Sequence, residues 1–150
     1  MVQSSESDFR LIPSVITSTG SVLNQKNRDL NSFGHAIVFA LHPTDWKTHR
    51  GQPARNDLFI QHKLGLLKYS VLPNEIPELE NKLHLRINLF SFDNALGYKR
   101  YALYIFKRFY PEEINLLFWE GRYAWIKHIS RLFTDTTKYF ALTIWLVLFL

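Results

Sequence analysis

The chain has 150 residues and no cysteine, so it is sized for a single core, and disulfides and thiolate zinc sites are excluded. Hydrophobic residues make up 47%, with 12 Phe, 7 Tyr and 4 Trp, enough apolar surface to offset the entropy of ordering a chain this long. The formal charge of +5 favours anionic partners but falls far short of a nucleic-acid-binding tail.

Residues 1–10 are polar and lack an apolar signal core, so an intracellular protein, nuclear or cytoplasmic, is expected. Residues 1–23 read as a flexible N-terminal arm with one short apolar run at 11–16, and the first 31 residues leave room for one added edge strand. Asn31 or Ser32 offers an N-cap to the apolar segment Phe33, Ala36, Ile37, Val38, Phe39, Ala40 and Leu41. Its end at His42-Pro43 predicts a short buried helix. Residues 43–55 read as loop. Asn56 then caps a second helix with Leu58, Phe59, His62 and Leu66 on one face. Asn74 caps a third, with Ile76, Leu79 and Leu83 facing inward and Pro77 in the first turn, where its missing N–H costs little.

From Leu85 the period changes to that of a strand. Leu85, Ile87 and Leu89 alternate with Arg86 and Asn88, and Asp93 to Gly97 reads as a turn. Residues 98–106 are rich in aromatic residues and read as a second strand, broken at Pro111-Glu112. Ile114, Leu116 and Phe118 alternate again, Glu120-Gly121 makes a tight reversal, and residues 123–129 return. The expectation is an α+β domain over residues 24–139: about three short helices on a four-stranded antiparallel meander. Residues 140–150, from Phe140 to Leu150, form an apolar tail broken only by Thr143. It is about half the roughly 20 residues of a spanning helix, so a buried last element is preferred to membrane insertion. Self-association through this tail is a further expectation.

Several stretches, taken in order, resemble one family. They are Lys26-Asn27-Arg28-Asp29 with Ser32-Phe33, Ala40-Leu41-His42-Pro43, Leu72-Pro73 with Ile76-Pro77-Glu78-Leu79-Glu80, and Ile87-Asn88-Leu89-Phe90-Ser91-Phe92. Ile114-Asn115-Leu116-Leu117 and Tyr123-Ala124-Trp125-Ile126-Lys127 with Ser130-Arg131-Leu132 complete the set. Together they resemble the domain ahead of a C2H2-like zinc finger in proteins of Polinton/Maverick-type mobile elements, abundant in animal genomes and in arbuscular mycorrhizal fungi. Those proteins often carry a B-family DNA polymerase or an endonuclease further on. The resemblance implies DNA or a replication protein as partner, and a fold papain-like or OTU-like in outline. The family pattern has Cys where this chain has Ser32 and His where it has Arg122, and a Cys/His zinc-binding run where this chain has its apolar tail. That reads as a truncated or frameshifted copy.

A Cys at a helix N-terminus beside a His on a strand suits a cysteine peptidase, because the helix end favours thiolate and imidazole exchanges the proton. Here both partners are replaced: a serine hydroxyl has a far higher pKa, and arginine stays protonated. Ser32 and Arg122 are thus expected to be vestigial, with Ser32 capping a helix, and no catalytic residue, metal or cofactor is expected. A degenerate peptidase-like domain is the alternative, and a membrane-associated protein using the tail another. His35, His42 and His49 recur at intervals of seven, but Pro43 interrupts the helix a metal site would need. Tyr98-Lys99-Arg100-Tyr101 and Phe106-Lys107-Arg108-Phe109-Tyr110 interleave cations with rings, the pattern of phosphate contact plus base stacking. Lys99, Arg100, Tyr101, Lys107 and Arg108 are the nucleic-acid-binding candidates; the competing reading is an edge strand kept soluble by its charges. Function is expected to be that of a non-catalytic accessory or interaction domain associated with DNA.

Overall fold

A computed structural model describes residues 11–24, 31–43, 64 and 71–133. The domain is α+β, with one five-stranded mixed sheet and four α-helices among the described residues. In chain order these are α1 (Ser14–Thr17), β1 (Val22–Leu23), α2 (Ser32–Leu41), α3 (Ile76–Leu83), β2 (Leu85–Asp93), β3 (Lys99–Tyr104), β4 (Glu112–Trp119), β5 (Arg122–Ile126) and α4 (Ile129–Leu132). The spatial order of the strands is β1-β5-β4-β2-β3.

The sheet is not the expected meander. β3 pairs antiparallel with one side of β2, while β4 pairs parallel with the other, from Leu85↔Glu112 to Phe90↔Leu117. The reason lies in which strands are apolar on both faces. In β4, Ile114 and Leu116 enter one core while Leu117 and Trp119 enter the other, so this strand belongs inside the sheet. β3 exposes Lys99, Tyr101 and Leu103, and fits only an edge. Because β3 runs antiparallel to β2, its end lies beside Leu89 in the middle of β2, and the link over residues 105–111 runs on past Asn88 and Arg86 to begin β4 in parallel.

The other features follow local chemistry. The two-residue turn Glu120-Gly121 has φ of 50° and 79°, the mirror-image turn whose twist suits antiparallel strands, and it joins β4 to β5 through the pair Trp119↔Arg122. β2 and β3 are joined through a 3-10 turn at Asn94–Leu96. Between Leu89↔Tyr104 and Phe90↔Ala102 the register slips by one, leaving Leu103 as the extra residue of a bulge. β3 ends at Tyr104 and β5 at Ile126, both short of the expected limits, and Ile129 opens α4 instead.

α2 and α3 cover one face of the sheet, with Phe33, Ile37, Ile76 and Leu79 against Ile87, Leu89, Ile114, Leu116 and Tyr123. α1 and α4 cover the other, where Ile16 and Leu132 meet Phe90, Leu117, Ala124 and Ile126. The apolar run at 11–16 therefore leads into a helix that closes the second core. The edge strand of this region is β1, paired with β5 through Val22↔Ile126 and Leu23↔Trp125. α3 starts at Ile76 after a 3-10 turn over Pro73–Glu75, so Asn74 is not its cap; Pro77 does fall in the first turn. The expected loop from residue 44, the helix from Asn56 and the tail at 140–150 lie outside the described residues.

Candidate nucleic-acid interface

The N-terminus of α2 and the start of β5 come together. Asn31 is the helix cap, its Oδ1 accepting from the Gly34 N–H at 2.8 Å. Ser32, the next residue, does not cap: its Oγ accepts a hydrogen bond of 3.0 Å from the Tyr123 N–H, with both residues fully buried. β1 pairs only as far as Leu23↔Trp125, and the Ser32 hydroxyl takes up the edge N–H of β5 just beyond that point. The side chain that meets the helix is that of Tyr123, its ring edge-on to Phe33 at 5.3 Å and its hydroxyl donating to the Val71 carbonyl at 2.7 Å. Arg122 is also fully buried. Directly opposed strand residues share a face. Its partner Trp119 places Arg122 on the α1/α4 side of the sheet. Ser32 thus meets the backbone of the residue next to Arg122, while the register sets the Arg122 side chain on the other face of the sheet.

Of the three spaced histidines, His35 is buried on α2, and His42 ends that helix with its N–H donating to the Val38 carbonyl. His49 lies outside the described residues. Among the described residues no cluster of three His, Cys, Asp or Glu could hold a metal ion, and no helix is long and apolar enough to cross a membrane.

The basic-aromatic candidates divide. Arg100 is only 2% exposed; its Nη1 donates to the Tyr98 carbonyl at 3.1 Å and its Nη2 to the Val15 carbonyl at 3.2 Å, tying β3 to α1. It is a fold residue. Lys99, Tyr101 and Lys107 are exposed, and Arg108 is half-buried. Beside them stand two residues that the sequence reading left out of the candidate set, Leu103 at 43% and Phe109 at 96% exposure. From Lys99 to Phe109 the odd positions 99, 101, 103, 107 and 109 are exposed, and every even position is buried or half-buried. A signal for this existed in the sequence: residues 94–111 hold Lys99, Arg100, Lys107 and Arg108 and no acidic residue.

The link 105–111 is held to the scaffold by α3 and the start of β2. Glu80 is fully buried on α3; its Oε2 accepts from the Ile87 N–H at 2.9 Å, and its Oε1 from the Tyr104 hydroxyl and, at 3.3 Å, from the Lys107 N–H. The two backbone N–H groups are donors that a longer β3 would have engaged in its ladder. Burial, then the hydrogen bond to Glu80 and its charge, push the Tyr104 phenol well above the ordinary tyrosine range, while Arg108 opposes the shift. Asn88, buried between the parallel strands, accepts from the Phe106 N–H at 2.9 Å and donates to Glu113 at 2.7 Å and Asn115 at 3.0 Å. The Arg86 guanidinium sits 4.8 Å from the Phe106 ring centre and 3.4 Å from Glu113. Tyr110 stacks on His84 at 4.9 Å and donates to Asn81 at 2.9 Å. The even-numbered side chains of the link thus face the scaffold, while Lys107 and Phe109 are exposed, the Lys107 Nζ lying 5.6 Å from the centre of the Tyr104 ring.

Comparison with protein-family models, with curated proteins and with solved structures finds no match.

Proposed function

We propose that this chain is a non-catalytic accessory domain that associates with DNA along edge strand β3 and the link that follows it. The observation that carries this reading is the exposed row Lys99, Tyr101, Leu103, Lys107 and Phe109 within an acid-free stretch that bears four cations. The cations suit phosphates and the rings suit bases, and one row offers both. The sequence resemblance supports an origin in a mobile-element replication protein, where such a domain would accompany replication enzymes. Fluorescence anisotropy with labelled oligonucleotides tests the reading. Two to three phosphate contacts give a logarithmic salt slope of about −1.4 to −2.1 for single strands, and hence a loss of roughly 7- to 20-fold in affinity between 50 and 200 mM salt. Replacing Lys99 and Lys107 together by Gln should flatten that slope. Absence of binding at low salt, or binding indifferent to salt, ends the proposal.

A second reading, a degenerate relative of papain-like peptidases, is favoured by one observation: the N-terminus of α2 abuts the start of β5. Against retained activity, the Ser32 hydroxyl is buried and already engaged, and the strand residue facing the helix is a tyrosine. A fluorophosphonate probe should leave the folded protein unlabelled; labelling that disappears in Ser32→Ala would favour the enzyme.

A further inference from the structure

Building on the DNA-associated reading, we infer that the β3 row is a single-strand platform, with Phe109 and Tyr101 as base-stacking residues and Lys107 as the phosphate contact between them along the chain. Three observations carry this. First, Phe109 is almost fully exposed, yet its neighbours are fixed: the Phe106 N–H is held by Asn88, the Lys107 N–H by Glu80, and Tyr110 by His84 and Asn81. A large ring on a loop normally loses binding energy to ordering on contact, and a loop already pinned on both sides of it reduces that loss. Second, Tyr101 (39% exposed) and the bulged Leu103 (43%) lie on the same edge strand, two exposed apolar side chains on the segment that leads into the link. From Lys99 to Leu103 the strand spans about 13 Å. Third, the stretch from 94 to 111 carries only positive charge, which complements a phosphate chain.

The preference for one strand over two follows from the chemistry of the row. Phe109 and Leu103 carry no hydrogen-bonding group with which to read base edges, the lone Tyr101 hydroxyl cannot make the bidentate contacts of major-groove recognition, and a paired base offers no open ring face. Unpaired bases do, and stacking on a ring is tolerant of sequence. Arg100, buried and bonded to Tyr98 and Val15, takes no part.

The test compares a labelled 20-nucleotide oligothymidine with a hairpin duplex of equal charge, on the intact chain and its variants. Single strands should bind at least tenfold tighter than duplex. Phe109→Ala should weaken single-strand binding about 5- to 150-fold and duplex binding hardly at all. Since Phe109 is 96% exposed, this variant should fold, which circular dichroism checks. Lys107→Gln should lower both affinity and salt slope. Equal affinity for both forms, with Phe109→Ala unchanged, overturns the single-strand inference while leaving DNA association standing. No binding to either form overturns both. Concentration-dependent dimerisation lost in Phe109→Ala, without oligonucleotide binding, overturns them in favour of a second copy of this chain.

Discussion

Removing the Glu80 side chain should be a severely damaging polar truncation. Its two oxygens accept from three donors on three different elements: the Ile87 N–H of β2, the Tyr104 hydroxyl of β3 and the Lys107 N–H of the link. Ile87 is fully buried, so in Glu80→Ala its N–H loses its partner at a cost of about 1–3 kcal/mol. The other two donors are half-buried or near the surface and can turn to water, at a cost of roughly 0.5–1.5 kcal/mol each. The sum is about 2–6 kcal/mol, a large part of the stability of an ordinary small domain. Glu80→Gln keeps one carbonyl oxygen, enough for Tyr104 and Lys107, but sets an NH₂ group against the Ile87 N–H; about half the loss is expected. Urea denaturation measures both variants through the shift in midpoint at constant slope. If Glu80→Ala lies within about 0.5 kcal/mol of the parent, the level of an ordinary surface change, the latch described here is not what holds the crossover.

The same latch predicts a response to alkali. The folded-state pKa of Tyr104 is raised, so its contribution to stability is complete below the unfolded value of about 10 and is lost as pH climbs from there toward the folded value. Tyr104→Phe should be less stable at pH 7 and lose less between pH 9 and 11; parallel stability curves would refute this. Ser32→Ala leaves the buried Tyr123 N–H without its acceptor and should cost about 1–3 kcal/mol, with Ser32→Thr intermediate, both read by thermal denaturation. Arg100→Gln should destabilise the fold by roughly 2 kcal/mol through loss of the contacts to Val15 and Tyr98, while the folded protein binds oligonucleotide as before. A fall in affinity without a fall in stability would return Arg100 to the interface.

Local chemistry was legible where one element decides it. The buried helix from Ser32 to Leu41, the strand alternation at Leu85–Leu89 and at Ile114–Phe118, and the Glu120-Gly121 reversal all follow from spacing and turn residues, and all are present. Strand order was not legible from alternation alone. A meander and the observed crossover use the same strands, and what separates them is burial on both faces of β4, together with polar groups that act across long distances in sequence. Nothing in the local sequence marks Glu80, because the Ile87 and Lys107 N–H groups it accepts from come together only once the sheet has formed. Ser32 shows the same limit, because its acceptor role depends on β1 stopping at Leu23. At the candidate interface the residue types were legible, whereas the split between buried Arg100 and exposed Phe109 needed the pairing of β3 with β2.

The central claim, that this domain binds through the β3 row while the Ser32 region serves the fold, is tested most directly by amide chemical-shift mapping during titration with oligothymidine. Shifts should concentrate at Lys99–Leu103 and Lys107–Tyr110, with Ser32, Phe33 and Tyr123 unmoved. Shifts centred on Ser32 and Tyr123, with the β3 row silent, would contradict it.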